Sequence, residues 1–280
     1  MQVNTNVSAL NSYRNLSNTQ NDLAKSLEKL SSGLRINHAA DDAAGLAISQ
    51  GLQSQVGGLT VASRNAQDGI SVIQTAEGSL SEVQTILQRV RDLAVQAGND
   101  SNNATSRDAI KTEVTALGAE LTRIGTNANF NGTKLLDGTG GAAADGKLTF
   151  QIGAGSTTSD QISVQMTDIT ALASGITTLA ATGFASASAA AASIATVDGN
   201  ITTISTARAD LGAQQNRFES VIRNLSVSTE NLTAAKSRIT DTDMAAEMVK
   251  YTRSNILSQA GTAMLAQANQ GNQGVLQLLR

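Results

Sequence analysis

The sequence predicts a mainly α-helical chain in which long antiparallel helices from the N- and C-terminal segments pair as a coiled coil, with a small β-hairpin element in the middle. Three observations carry this. Counting by sevens from Val197 gives Ile204, Leu211, Phe218, Leu225, Leu232 and Ile239 without a miss, and a seven-residue repeat puts them on one seam of an α-helix. The 280 residues include no Pro, Cys or Trp, four Phe and two Tyr. No position therefore carries the strongest helix breaker, and the 40% apolar fraction, largely Ala, Leu, Ile and Val, suits close helix contact. Only in the middle does the apolar period shorten to two. An unbroken helix over 197–239 would be about 65 Å long, too long for one compact domain, so it must lie along other helices.

The elements follow in order. From about Val7 to Leu34, Leu16, Leu23, Leu27, Leu30 and Leu34 form a helical seam, with Asn4, Asn6 and Ser8 as candidate caps. Ser32-Gly33 and the polar stretch Asn37 to Asp42 break it, and Asp41 or Asp42 can cap the next helix. Ile73, Ala76, Leu80, Val83, Leu87, Val90 and Ala94 then alternate three and four apart, until Gly98-Asn99-Asp100 ends the run with turn residues. A third helix carries Ile110, Val114, Leu117, Leu121 and Ile124; a short polar loop before it makes the two fold back on each other.

From Asn127 the pattern changes. Asn131-Gly132 is a turn dipeptide, and Leu148, Phe150, Ile152 and Ile162, Val164, Met166 alternate with polar neighbours as a hairpin. The stretch 171–194, rich in Ala, Ser, Thr and Gly with one aromatic, Phe184, reads as a short exposed connection. The long seam follows, interrupted at its edge by Arg208, Gln215 and Lys236, which either fix register or snorkel outward. Asp241-Thr242-Asp243 restarts the helix with Glu247 in its first turn, and Val249, Ile256, Ala263 with Leu257, Met264 give the last segment its amphipathic repeat.

Composition excludes much. Net charge of −3 without a basic block leaves no footprint for nucleic acid. The N-terminus lacks the basic and apolar regions of a Sec-type signal, and no run reaches the roughly 18 apolar residues of a membrane span. His38 is the single histidine, so no zinc pair or two-histidine triad can form, and it sits with Asp41 and Asp42 in a capping stretch. The glycines form no phosphate-binding loop. The expectation is a protein without catalytic residues, cofactor or metal.

The motifs then resemble bacterial flagellin. Leu30-Ser31-Ser32-Gly33-Leu34-Arg35-Ile36-Asn37, Asp41-Asp42-Ala43-Ala44-Gly45-Leu46-Ala47-Ile48 and Leu87-Gln88-Arg89-Val90-Arg91-Asp92-Leu93-Ala94 are similar to that family's N-terminal half. Leu211-Gly212-Ala213-Gln214-Gln215-Asn216-Arg217-Phe218 and the closing Val275-Leu276-Gln277-Leu278-Leu279-Arg280 are similar to its C-terminal half. Gly271-Asn272-Gln273-Gly274 stand where flagellins usually place a Pro.

The resemblance implies an inner coiled-coil domain from 1–40 and 241–280, disordered in the monomer, and a rod-like domain from 41–170 and 195–240. The 171–194 connection would stand where larger members carry outer domains. It implies a secreted structural subunit that polymerises into the extracellular flagellar filament for motility after export as an unfolded chain. The implied partners are other copies, hook-associated junction and cap proteins, and an export chaperone. In some members a host Toll-like receptor is another, with Arg89, Leu93 and Glu113 as the recognition candidates here. The self-assembly seams would be Leu16, Leu23, Leu27, Leu30, Leu34 and Val249, Ile256, Leu257, Ala263, Met264. The rod-domain seam would comprise Leu80, Val83, Leu87, Val90, Leu211, Phe218, Leu225 and Leu232. A hook–filament junction protein is the alternative, disfavoured because the rod-domain motifs are intact.

Overall fold

The computed structural model describes the backbone of residues 5–278 and the side chains of residues 5–270. The order of elements is α1 (Val7–Ser32), α2 (Ala43–Ala97), α3 (Ala104–Asn127), β1 (Asn129–Phe130), β2 (Thr133–Lys134), β3 (Lys147–Gln151), β4 (Gln161–Gln165), α4 (Thr170–Thr182), α5 (Ala187–Thr240) and α6 (Met244–Leu278). The fold is mainly α, as the seams predict. The chain divides into two compact units, one of residues 57–229 and one of 1–56 with 230–280.

In the 57–229 unit the heptad seams become the core. Ile73, Ala76, Leu80, Val83, Leu87, Val90 and Ala94 of α2 are all buried, as are Ile110, Val114 and Leu121 of α3. Leu117 and Ile124 pack half-buried against them. From α5 come Val197, Ile204, Leu211, Phe218 and Leu225, every one of them buried. α3 starts where Asn103 accepts a hydrogen bond from Ser106 N, the capping geometry of a helix N-terminus.

The period-two runs pair as expected. β3 and β4 are antiparallel with Leu148 opposite Val164 and Phe150 opposite Ile162; Ile162, Val164 and Met166 face the core. Asn131 and Gly132 turn between β1 and β2 with φ of 49° and 82°, the left-handed pair that a two-residue hairpin loop needs. Phe150 and Phe218 meet edge to face with ring centroids 5.5 Å apart, tying the hairpin to α5. The same Phe218 ring rests on Gly69 of α2, where an added Cβ would lie only 2.9 Å from it.

One expectation is corrected here. The stretch 171–194 is no exposed connection: α4 occupies its first half, α5 begins at Ala187, and Ala173, Ile176, Ala180, Phe184, Ala190 and Ser193 are buried. Ile169, Ala173, Ile176 and Ala180 repeat four, three and four apart, and Ala190 lies one heptad before Val197. Small side chains let α4 sit close on α3, with Gly118 beside Thr177 and Gly125 beside Ile169. Phe184, 2% exposed, fills the corner between α4 and α5. Alanine is the best helix former, so low complexity here conceals a helix.

The seam's polar intrusions are tied rather than loose. The Arg208 guanidinium donates to Glu77 and Gln84 of α2 while staying partly exposed. Gln215 bonds to Glu219 within α5, and Lys236 to Gln53 of α2.

Phe218→Ala removes a ring that touches both α2 and β3, so it is expected to destabilise the 57–229 unit by about 3–5 kcal/mol. Gly69→Ala overpacks the same contact and is expected to cost about 1–3 kcal/mol despite alanine's helix propensity. Thermal or denaturant unfolding of both variants checks this, and wild-type midpoints would contradict the packing.

Candidate assembly surface

The other unit is organised by α1 and α6, which pack against each other. Their register is fixed at both ends. At one, Gly33 takes φ of 72° and ends α1, Leu34 bridges Asp241, and Arg35 N donates to Thr240 O at 2.6 Å. The Arg35 guanidinium reaches Ile239 O at 2.7 Å, and Asp243 caps α6 by accepting from Ala245 N and Ala246 N. At the other, Asn6 accepts from Ala9 N at 3.0 Å while donating to Ala268 O of α6. Of the candidate caps, Asn6 therefore starts α1; Asn4 lies outside the described residues. Asp42 caps α2 through Gly45 N, whereas Asp41 accepts from Asn37 N and His38 N and closes the turn before it. His38 pairs with Glu28 at the surface.

Between these clamps the two helices face each other with small and polar groups interspersed with leucines and one tyrosine. On α1 the less exposed stripe is Ala9, Ser12, Leu16, Thr19, Leu23, Ser26 and Leu30; on α6 it is Glu247, Tyr251, Ser254, Ser258, Gly261, Leu265 and Ala268. Both repeat three and four apart. Leu16 is buried against Gly261, where a Cβ would come within 3.2 Å of its Cδ1. Ser26 and Glu247 are buried together, the hydroxyl donating to Glu247 Oε1 at 2.7 Å and Lys250 to Oε2 at 3.0 Å. Donation by Ser26, then by Lys250, outweighs the opposing effect of burial and holds the Glu247 carboxyl below the ordinary glutamate range.

The predicted self-assembly residues therefore divide. Leu16, Leu23 and Leu30 point into the α1–α6 contact, whereas Leu27 and Leu34 are exposed. On α6 the whole predicted set is outward: Val249 is 60% exposed, Ile256 61%, Leu257 51% and Met264 62%, with Ala263 also exposed. Ala245, Met248, Val249, Thr252, Ile256 and Leu257 line an open furrow on that face. The α6 stripe that faces α1 is marked by the small repeat Ser254, Ser258 and Gly261 rather than by a run of large aliphatic residues, and Gly261 is where α6 meets Leu16 of α1.

The rod-domain seam is internal. Leu80, Val83, Leu87, Val90, Leu211, Phe218 and Leu225 are core, and Leu232 is half-buried. Arg89 and Glu113 join across α2 and α3 as an exposed ion pair at 2.7 Å. Leu93 corrects the expected trio: it is 2% exposed and belongs to the core, because it adjoins the Val90–Ala94 stripe. The backbone of the Pro-less stretch 271–274 continues in helix to Leu278; the side chains of the closing motif, and all of Leu279 and Arg280, lie outside the described residues. Among the described residues no helix is long and apolar enough to cross a membrane.

Paired terminal helices that close on a seam of mixed small, polar and leucine residues and turn the aliphatic repeat of α6 outward characterise a self-associating structural subunit. Comparison with known proteins identifies the family. Residues 3–140 match the bacterial flagellin N-terminal helical region, and residues 194–279 match the bacterial flagellin C-terminal helical region. The chain is 51% identical over 306 aligned positions to a flagellin of Bacillus subtilis, and 48% identical over 280 to one of Halalkalibacterium halodurans. It is 46% identical over 288 to the flagellar filament 33 kDa core protein of Treponema phagedenis. Each alignment spans the full length of both chains. The chain belongs to the bacterial flagellin family.

The buried carboxylate sets a pH dependence. A glutamate with a depressed folded pKa contributes stability that is complete above its unfolded pKa and is lost as pH falls through the folded one. Acidification is therefore expected to loosen α1 from α6, and Glu247→Gln to remove that part of the dependence. Ser26→Ala leaves the buried carboxylate short of a donor and is expected to cost about 1–3 kcal/mol. Helicity of the three proteins in assembled form, followed through an acid titration, tests both; superimposable titrations would contradict the assignment.

Proposed function

We propose that this chain is the structural subunit of a bacterial flagellar filament and that it polymerises through the outward faces of α1 and α6. One observation carries the reading: the strongest aliphatic repeat of α6 lies on the face turned away from α1. An apolar side chain gains roughly 1.5–3 kcal/mol when water is excluded from it, so a copy laid along this face recovers what the α1–α6 contact leaves unused. Contacts of this kind join unlike surfaces, do not close into a ring, and so build a helical polymer.

The domain boundaries follow the same logic. Residues 1–40 and 241–280 form the inner coiled-coil domain, which orders fully only in the polymer, because a helix with a polar seam draws little stability from a single partner. Residues 41–240 form the rod-like part. Export as an unfolded chain is compatible with a core poor in aromatics and free of disulfides. The role is mechanical, not catalytic. Junction and cap proteins at the filament ends, and a chaperone that covers α6 before export, are the partners this surface suits.

A second reading rests on the exposed Arg89–Glu113 pair. It presents a pair of charged side chains at the α2–α3 surface that a Toll-like receptor of a host can engage. Reporter cells are expected to respond to the wild type and to lose the response to Arg89→Ala; equal responses would remove the assignment.

The assembly reading is tested by two variants. Deletion of residues 241–280 is expected to leave a soluble, folded 57–229 unit that forms no filaments. In the full chain, Ile256→Asp with Leu257→Asp is expected to preserve the α1–α6 register yet abolish seeded elongation. Long filaments of either, seen by negative-stain microscopy, would overturn the proposal.

A further inference from the structure

The turn dipeptide of the sequence, Asn131-Gly132, has a chemistry that assembly does not use. It is the chain's one Asn-Gly step, and both residues are exposed at the tip of the β1–β2 hairpin. Glycine leaves its own amide nitrogen sterically unshielded. Among the described residues the Asn131 carboxamide has no hydrogen-bond partner.

The neighbouring Asp-Gly steps differ. Asp137 Oδ1 accepts from Thr139 N and Thr139 Oγ1, at 2.9 and 2.7 Å. Asp145 Oδ1 accepts from Lys147 N at 3.0 Å. Those carboxyl groups are held by donors two residues on and offer no amide leaving group. Asn131 is neutral and unrestrained.

We infer that Asn131 is a site of spontaneous deamidation that converts it to a mixture of aspartyl and isoaspartyl residues. The Gly132 amide nitrogen attacks Cγ of Asn131. The new N–Cγ bond forms, the Cγ–Nδ2 bond breaks, and ammonia departs with the proton lost from the Gly132 nitrogen, leaving a succinimide. Water then opens the ring: addition at Cγ gives the aspartyl residue, and addition at the main-chain carbonyl carbon gives the isoaspartyl one. Nothing is oxidised or reduced, and water is the sole co-reactant.

The product acts where it forms. Asn131 lines an apolar groove with Asp68, Phe130, Leu135 and Phe150. A carboxylate at position 131 sets a second negative charge in the groove that already holds Asp68, and like charges repel. The isoaspartyl form also adds a carbon to the main chain between Phe130 and Gly132. That shifts the Phe130–Thr133 pairing on which the two-residue turn depends. The modification therefore loosens the segment leading to Leu135 and Leu136, both buried.

The test is ageing of the purified full chain in mildly alkaline buffer, followed by peptide mass spectrometry and isoaspartyl detection. The peptide holding Asn131 is expected to gain one mass unit on the order of tenfold faster than the other asparagine peptides, as an unshielded following glycine allows. Asn131→Gly keeps the left-handed turn and is expected to abolish the gain in that peptide. Hydrogen exchange at Leu135 and Leu136 is expected to quicken with ageing in the wild type only. Conversion at Asn131 no faster than elsewhere, or equal quickening in Asn131→Gly, would overturn the inference.

Discussion

The structure depends on an inverted allocation of residues between two helices. α1 and α6 meet over serine, threonine, alanine and glycine interspersed with Leu16, Leu23, Leu30, Tyr251 and Leu265 and one buried glutamate, while Val249, Ile256, Leu257 and Met264 of α6 face outward. A contact of small and polar groups sets register well, because each hydrogen bond has one partner at one height along the helix. It stabilises little, since the apolar area removed from water is small. The terminal pair is thus specified by its own contacts and stabilised by whatever covers its outer face.

The 57–229 unit shows the opposite allocation. There α2, α3 and α5 bury continuous aliphatic stripes, and Phe218 joins α2, α5 and the β3–β4 hairpin at one point. Such a unit has the core that independent folding requires. Two parts of one chain thus follow different rules: one closes upon itself, the other keeps its apolar surface for a partner. For a filament subunit, the first supplies a persistent body and the second a reversible, directional contact.

Much of the fold was legible because helices in this chain obey a strict repeat. Every residue counted by sevens from Val197 to Leu225 is buried, and the period-two runs pair in the expected hairpin. What is hidden in the sequence shares one cause: the repeat there is carried largely by small residues. α4 is carried by Ala173, Ile176 and Ala180 amid Ser and Thr, and Ser254 and Ser258 hold places on the α6 contact between Tyr251, Gly261 and Leu265. Burial there is achieved by closeness of backbones, not by side-chain size. Leu93 failed for a different reason. Its spacing from Arg89 predicts a shared face, but its place next to Val90 and Ala94 puts it on the core side of α2.

The measurement that bears most directly on this account is amide hydrogen exchange of α1 and α6 in the dilute monomer and in the assembled polymer. The account requires fast exchange through both helices in the monomer, with α2, α3 and α5 protected, and strong protection of α1 and α6 after assembly. Equal protection of the terminal helices in both states would mean that their polar seam alone stabilises them, and the central claim would fail.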